Sequence, residues 1–185
     1  MISVVIECLN EEHALARTLA ALVPGAVEGL ISEVIVVDHG SNDGTAKVAD
    51  SAGCTVAAPA EAAAVIAEAR GRWLLVLEPG ALPLAGWIEA LSGYVANGGE
   101  GAARFRLAPS VPIWQRLSDR ASSKSLRGGV LLRQAKAIKT LGGEKLAERR
   151  LSPLIALAAG KMVRLDCRLM PAPRRRASGA RPVGA

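Results

Sequence analysis

Two short apolar runs near the start of the chain, each followed by a polar turn, constrain its fold more than any other feature. Ile2–Ile6 and Val34–Val37 are rich in β-branched residues and too short to be buried helices, so they predict strands. A helical pattern lies between the two runs, and another follows the turn that begins at Asp38. This order predicts a β-α-β-α unit whose strand ends deliver polar groups to the same edge of a sheet.

Polar residues gather at the predicted carboxyl ends of these strands, and in open α/β sheets ligands bind in the crevice outside those ends. The first candidates for a binding site are therefore Glu7, Asn10, Glu11, Asp38, Gly40, Ser41 and Asp43. Each also has a structural interpretation. Asn10 and Glu11 can cap the first helix, and Asp38 can cap its own turn. For Asp43 we favour capping of the second helix over contact with a ligand.

The stretch SVVIECLNEEHALARTLAAL followed by EVIVVDHGSNDGT resembles the opening of family 2 glycosyltransferases, which have the GT-A fold. The resemblance is close from Ile2 to Thr45 and looser beyond. It implies an α/β, GT-A-like domain, with a Rossmann-like nucleotide-binding sheet and flanking helices in three α/β/α layers. It also implies a nucleotide-diphospho-sugar donor, held by residues of the two turns: Asn10, Glu11, Asp38, Gly40 and Ser41.

The chain departs from the family where the central strand ends. Members of the family usually carry a D-x-D motif there, and its last aspartate holds a divalent metal, Mg or Mn, on the donor diphosphate. Here the predicted strand Trp73–Leu77 runs into Glu78-Pro79-Gly80, so Glu78 is the one carboxylate and Gly80 stands in the aspartate's place. Glu78 is therefore either a weak metal ligand or a solvent-facing residue of a turn. The basic loop that approaches the diphosphate in the family is replaced by Pro59-Ala60-Glu61-Ala62.

The resemblance places the catalytic base at the start of a late helix, where Glu148 is the only candidate. The alternative is an exposed Glu148 paired with Arg149 or Lys145. With this base, the protein would transfer the sugar with inversion to a cell-envelope acceptor such as a lipid or polysaccharide. The degenerate D-x-D motif favours a second hypothesis, an inactive relative that acts as a nucleotide-binding or partner-binding module.

Composition excludes several other classes. No apolar run is long enough to span a bilayer, and no basic region precedes an apolar one at the N-terminus, so we expect no membrane span or signal peptide. The three scattered cysteines and two separated histidines predict reduced thiols and no zinc site. Aromatics are only 3% of the residues, too few for base stacking, so we expect no nucleic-acid partner.

The net charge of +6 accumulates in the second half of the chain. We predict a domain over residues 1–170 and a basic, disordered tail over 171–185. The predicted location is cytoplasmic, with peripheral contact to an anionic membrane as a further hypothesis and a solvated basic face as its alternative. Local patterns also predict a first helix over 11–22 ended by Pro24-Gly25, a later helix beginning at Pro83, and an inward-facing Trp114. Two further strands are predicted, over Ala102–Leu107 from alternation and over Met162–Leu165.

Overall fold

The structure is a computed structural model that describes residues 1–99, 101–115, 126–141, 160 and 162–173. Its strands are β1 (Ile2–Cys8), β2 (Ile31–Asp38), β3 (Thr55–Ala57), β4 (Trp73–Leu77), β5 (Leu82–Pro83), β6 (Ala102–Leu107), β7 (Val130–Arg133) and β8 (Met162–Met170). Its helices are α1 (Glu12–Val27), α2 (Thr45–Ser51), α3 (Ala62–Ala67), α4 (Trp87–Ala96) and α5 (Gln134–Leu141).

The strands form one mixed sheet in the order β3-β2-β1-β4-β7-β6-β8-β5. The first four of these pair in parallel, whereas β7 runs antiparallel to β4. The chain adds β2 and β3 on one side of β1 and then crosses to place β4 on the other side. The gap between β1 and β4 is therefore a topological switch point, where ligands bind outside the carboxyl ends of the strands.

Two apolar cores sandwich the sheet because successive side chains of a strand point to opposite faces. In β1, Val4 and Ile6 enter one core together with Leu15 of α1. Val5, between them, enters the other core together with Ile66 of α3. Helices thus cover both faces of the sheet, which confirms the predicted three-layer α/β architecture.

Helix α1 is longer than predicted, and Pro24 lies inside it. The helix ends instead where Gly29 adopts a left-handed φ of 72° and donates its N–H to the carbonyl of Ala26. Gly25 is buried and faces the ring of Trp87, because a Cβ built on it would lie 2.3 Å from Cη2. The Pro24-Gly25 pair therefore marks a close packing contact and not the end of the helix.

Two further local predictions are wrong. Pro83 belongs to the short strand β5, and the helix that follows begins at Trp87, after Gly86 with a φ of 83°. Pairing of β5 with the end of β8, which is distant in sequence, overrides the local preference of proline for a helix start. The side chain of Trp114 is 60% exposed, so it does not face inward.

The last strand is longer than predicted, and the structure extends into the first residues of the predicted tail. Strand β8 continues to Met170, five residues beyond the predicted end at Leu165, because it pairs along both β6 and β5. Pro171, the first residue assigned to the tail, is buried. Residues 174–185 lie outside the described part of the chain, so the disordered tail stays a prediction for them.

Candidate nucleotide-binding site

Strands β1 and β2 end side by side, as the sequence predicted. In the parallel register Glu7 lies opposite Val37 and Cys8 lies opposite Asp38. The backbone N–H of His39 then donates to the carbonyl of Cys8 at 2.9 Å. The residues that follow the two strands are therefore held at one edge, next to the switch point between β1 and β4.

At this edge, the two carboxylate oxygens of Asp38 have different hydrogen-bond surroundings. Its Oδ1 atom accepts hydrogen bonds from both the backbone N–H, at 3.1 Å, and the hydroxyl of Ser41. Gly40, with a φ of 85°, makes the turn that brings Ser41 back. Among the described residues, the Oδ2 atom of Asp38 accepts no hydrogen bond. Asp38 thus caps its turn with one oxygen, and no described residue donates to the other.

Asn10 does not cap α1, contrary to its interpretation as an N-cap. The residue before the helix is Glu11, which makes no side-chain capping hydrogen bond, and Asn10 has a left-handed φ of 55°. Its backbone N–H donates to Oγ of Ser41 at 2.9 Å, and its Oδ1 accepts from the N–H of Asn42 at 2.7 Å. Asn10 therefore ties the two turns together, which local sequence cannot show.

The starts of α1 and α2 cap each other. The backbone N–H of Glu11 donates to Oγ1 of Thr45 at 2.9 Å, and that of Glu12 donates to Oδ2 of Asp43 at 3.2 Å. In return, Oε2 of Glu12 accepts from the N–H of Gly44 at 3.1 Å, and Asp43 accepts from the N–H of Thr45 at 3.0 Å. The favoured capping role of Asp43 agrees with these contacts. Side chains thus occupy the N–H groups that a phosphate would use at the start of α1.

Asp43→Asn is expected to destabilise the protein near neutral pH and not in strong acid. The hydrogen bond from Thr45 lowers the pKa of the Asp43 carboxyl, so its contribution is present above the ordinary pKa and lost as the pH falls through the lowered one. Urea unfolding at about pH 7 and about pH 2 measures this difference. Asp50→Asn, on the exposed face of α2, is the matched control. A deficit of equal size at both pH values would contradict a role for the charge.

Glu7 and His39 form a pair that sequence patterns missed. Glu7 is only 5% exposed, and its Oε1 lies 3.1 Å from Nε2 of His39. A buried carboxylate needs such a partner. The signal was the position of His39 directly after the end of β2, because Glu7 stands near the end of the neighbouring strand.

The end of β1 is strongly acidic. Burial, together with the negative charges of Asp38, Glu11, Glu7 and Asp43, raises the pKa of the Cys8 thiol to about 12. The thiol is therefore protonated at neutral pH and is not a nucleophile. Four carboxylates therefore lie close enough to the Cys8 sulfur to contribute to this raised pKa.

The turn after β4 holds the altered motif. The N–H of Gly80 donates to Oγ1 of Thr18 at 2.8 Å, and Gly80 is buried with a φ of 91°. A Cβ built on Gly80 would face Ala14 at 3.5 Å and Pro173 at 3.4 Å. The position of the family's metal-binding aspartate therefore points at protein, whereas Glu78 is partly exposed in the same turn.

The described residues do not fit a preformed site for the divalent metal that the resemblance implies. Among them, no group of three or more His, Cys, Asp or Glu side chains could hold an ion. Mg2+ uses one or two carboxylates together with substrate phosphates, and the β4 turn supplies only Glu78. We therefore derive no chemical step through a metal.

A basic side chain that the site predictions did not include lies on the other side of β4. Gly129 packs against Leu77, the last residue of β4, and the Arg104 guanidinium approaches Gly128, whose built Cβ would lie 3.0 Å away. Arg104 thus stands near the end of β4, opposite the Asp38 side of the edge. The proposed base Glu148 lies outside the described residues.

A groove of about 730 Å³ between α1, β2 and α2 is separate from this edge. Apolar side chains such as Leu19, Val34 and Val48 line much of it. It meets the turns only at Glu12 and Gly44. Asp38 and Asn10 do not line it, so we do not assign the nucleotide to this groove.

A parallel β-α-β unit with polar turns at a switch point, continued by an antiparallel extension of the sheet, is the architecture of the GT-A fold. Comparison with family models agrees with this class. The chain belongs to glycosyl transferase family 2, whose model matches residues 3–140. Its class is therefore that of the glycosyltransferases, as the sequence predicted.

Solved structures show the same fold. Glucosyl-3-phosphoglycerate synthase from Mycobacterium tuberculosis, in complex with Mn2+ and UDP-glucose, is 20% identical with a TM-score of 0.60, over 95% of this chain and 72% of that chain. Its complex with Mn2+, UDP and phosphoglyceric acid gives 21% identity and a TM-score of 0.55, over 74% of this chain and 57% of that chain. At such identities the likeness establishes the fold alone.

No curated protein matches the chain in sequence. Among the described residues, no helix has both the length and the apolar character that crossing a bilayer requires.

Proposed function

We propose that the protein binds a nucleotide-diphospho-sugar at the carboxyl ends of β1, β2 and β4 and transfers the sugar to an acceptor hydroxyl with inversion. The observation that carries the proposal is the geometry of Asp38. Its Oδ1 is fixed by Ser41, which aims the side chain, and its Oδ2 remains as an acceptor for a donor group of the nucleotide. Asn10 and Glu11 hold the facing turn in place through their backbone contacts.

The transfer is a single displacement. The acceptor oxygen attacks the anomeric carbon while the bond from that carbon to the diphosphate oxygen breaks. The electron pair of the broken bond stays on the leaving nucleoside diphosphate, and a carboxylate base takes the proton of the acceptor hydroxyl. Glu148 is proposed as that base on the family resemblance, and Glu78 as a group beside the diphosphate.

Two findings guide the choice of substrates. The solved relative binds UDP-glucose and phosphoglyceric acid, which supports a UDP-sugar donor and makes that acid a first acceptor to test. The hypothesis of a cell-envelope acceptor adds lipid-linked acceptors to those to be tested. On the side of β4 away from Asp38, the Arg104 guanidinium beside Gly128 favours acceptors that carry an anionic group.

Calorimetric titration of the full chain with UDP-, GDP- and TDP-sugars, with and without Mn2+, tests the donor site. Binding of at least one of them is the expected result. A folded protein that binds none would sink the nucleotide part of the proposal. Donor hydrolysis and sugar transfer to the two acceptor classes are then measured with the donor that binds.

The second candidate is a non-catalytic relative that keeps the nucleotide site. Gly80 in place of the metal-binding aspartate favours it, because that residue faces Ala14 and Pro173 instead of the donor. Slow donor hydrolysis that Asp38→Ala abolishes would support the enzyme. Donor binding without hydrolysis or transfer to any acceptor tested would support the binding module.

A further inference from the structure

Strands β6 and β8 carry arginines at directly opposed positions. Their parallel register places Arg104 opposite Arg164. Two positions further along β6, Arg106 lies opposite Arg168. Neighbouring strands lie about 4.8 Å apart, and two residues along a strand span about 7 Å. The backbone therefore brings these four side chains, the arginine patch, into an area that one small ligand can cover.

All four side chains of the arginine patch point to the same face of the sheet. Phe105 of β6 and Leu165 and Cys167 of β8 belong to the core that contains Leu15 of α1. Because successive side chains of a strand alternate between faces, the arginines on either side of them point to the opposite face. The register shift along this pair of strands adds two residues to β8, so it leaves the alternation intact.

The arginine patch is exposed and strongly positive. Arg164 and Arg168 are exposed, and within the described part of the chain they make no hydrogen bond or ion pair. Nη1 of Arg106 lies 3.5 Å from Oδ1 of Asp166, but the two side chains are 56% and 94% exposed. Exposed ion pairs contribute little to stability. On these two strands, four positive charges therefore face the single carboxylate of Asp166.

This arrangement lowers stability, because like charges directly opposite each other on neighbouring strands repel. The repulsion occurs twice in succession, at both opposed pairs of the arginine patch. Local choices that work against the fold are expected at functional sites. A phosphate group between the strands would turn the repulsion into attraction, because guanidinium groups stay charged and donate paired hydrogen bonds to its oxygens.

The arginine patch reaches the edge of the sheet where the proposed donor binds. Strand β7 runs antiparallel to both β4 and β6, and β8 runs parallel to β6, so β4, β6 and β8 end at the same edge. Arg106 is the last residue but one of β6, and Arg168 is the last but two of β8. The Arg104 guanidinium approaches Gly128, in the turn before β7 at this edge. The patch therefore lies on the side of β4 away from Asp38.

We propose that the arginine patch binds a phosphate group of the acceptor and holds the acceptor at this edge by ionic contacts and hydrogen bonds. No bond to the phosphate forms or breaks. That the ligand is the acceptor rests on the proposed function, to which the patch adds the chemical group that is recognised. A soluble phosphate ester and the phosphate headgroup of a lipid share this chemistry, and the experiment distinguishes these two sources.

The test compares the full chain with a patch variant, Arg164→Gln together with Arg168→Gln. The matched control removes the same charge elsewhere: Arg17→Gln on α1 and Arg72→Gln just before β4, both exposed. Calorimetric titrations use glycerol 3-phosphate and glycerol, which differ only in the phosphate. Thermal melts at low ionic strength show that each variant is folded and measure its stability.

The expected result is that glycerol 3-phosphate binds to the unmodified chain and to the control, and that the patch variant loses about 10-fold in affinity. The patch variant should melt about 2–4 °C above the unmodified chain, because the repulsion between the opposed arginines is relieved. Equal affinity in all three proteins would overturn the inference. So would glycerol that binds as tightly as glycerol 3-phosphate. A loss of affinity accompanied by a lower melting temperature would be an effect on the fold and would also overturn it.

Vesicles of phosphatidylcholine, with and without phosphatidic acid, identify the source of the phosphate. If the unmodified chain binds only the vesicles with phosphatidic acid, and the patch variant does not, the patch takes a lipid headgroup. Binding of glycerol 3-phosphate identifies a soluble ester. An unmodified chain that binds neither overturns the inference.

Titration with the nucleotide-sugar donor separates the arginine patch from the proposed function. The patch variant should keep the donor affinity of the unmodified chain. A chain that binds the donor but no phosphate at the patch overturns only this inference. A chain that binds phosphate through the patch but no donor overturns the proposed function and, with it, the role of the patch in holding an acceptor. In sugar transfer to a phosphorylated acceptor, the patch variant should raise KM about 10-fold and leave kcat nearly unchanged. An unchanged KM would overturn the acceptor role.

Discussion

Asp38→Asn is expected to weaken nucleotide binding by about 10- to 100-fold and to leave the stability of the protein nearly unchanged. The amide oxygen can still accept both hydrogen bonds from Ser41, so the turn keeps its geometry. The amide nitrogen replaces the Oδ2 atom, and it cannot accept a hydrogen bond from the nucleotide. The substitution therefore separates ligand binding from turn capping. Calorimetric titration with the best donor and urea unfolding measure the two effects.

Two companion variants make this prediction sharper. Asp38→Ala removes both oxygens, so both nucleotide affinity and stability should fall. Ser41→Ala removes the hydroxyl that donates to Oδ1 of Asp38 and accepts from the backbone N–H of Asn10. Both carboxylate oxygens of Asp38 remain in this variant. It should reduce affinity less than Asp38→Asn does. If Asp38→Asn binds the donor as tightly as the unmodified chain, Asp38 only caps its turn.

Gly71→Ala is expected to lower the free energy of unfolding by about 3 kcal/mol. Gly71 is buried just before β4, and its N–H donates to Oγ of Ser3 at 2.9 Å. A Cβ built on it would lie 2.4 Å from the backbone nitrogen of Ser3 and 2.7 Å from the carbonyl carbon of Ile2. Strand β1 pairs on both sides, with β2 and β4, so its backbone cannot move away.

The matched control for Gly71→Ala is Gly93→Ala, in the middle of α4. Outside its own helix backbone, no atom of the described residues lies within 4 Å of a Cβ built on Gly93, and alanine favours a helix, so this variant should gain about 0.5–1 kcal/mol. Urea unfolding of both variants checks the pair of predictions. A Gly71→Ala protein as stable as the unmodified chain would show that β1 and β4 can separate at this point.

Gly71 also affects the candidate site through strand pairing, although it lies at the opposite end of β4 from Glu78. The register of β1 against β4 places Ile2 beside Trp73 and Ile6 beside Leu77. That register brings the end of β1 next to the turn with the altered motif. A substitution that separates the strands near Gly71 should therefore weaken nucleotide binding as well as the fold.

Much of the fold was predictable from local pattern. The strand over Trp73–Leu77 has the predicted bounds because a continuous apolar run marks it. The strand over Ala102–Leu107 also has the predicted bounds, because alternation along the chain marks it. The family resemblance over Ile2–Thr45 was specific enough to predict the GT-A fold, and the family match confirms it. It also predicted which residues share the edge, since parallel strands end together.

The errors in the fold share one cause. Pro24 and Pro83 carry strong local signals, but distant partners decided both positions. Gly25 beside Pro24 packs against Trp87, and Pro83 pairs with Leu169 of β8. Tertiary contacts of this kind outweigh the local preference of a single residue.

By itself, the sequence determined the fold class, the family and the edge of the sheet where Asp38 lies, because strand patterns and turn motifs are local. Only the tertiary structure decided how that edge is built. Pairing of β1 with β2 joins Glu7 to His39 and Asn10 to Asn42, across more than thirty residues of chain in each case. The end of β8 places Pro173 against Gly80. Such contacts depend on where distant segments meet in space, and no local pattern records that.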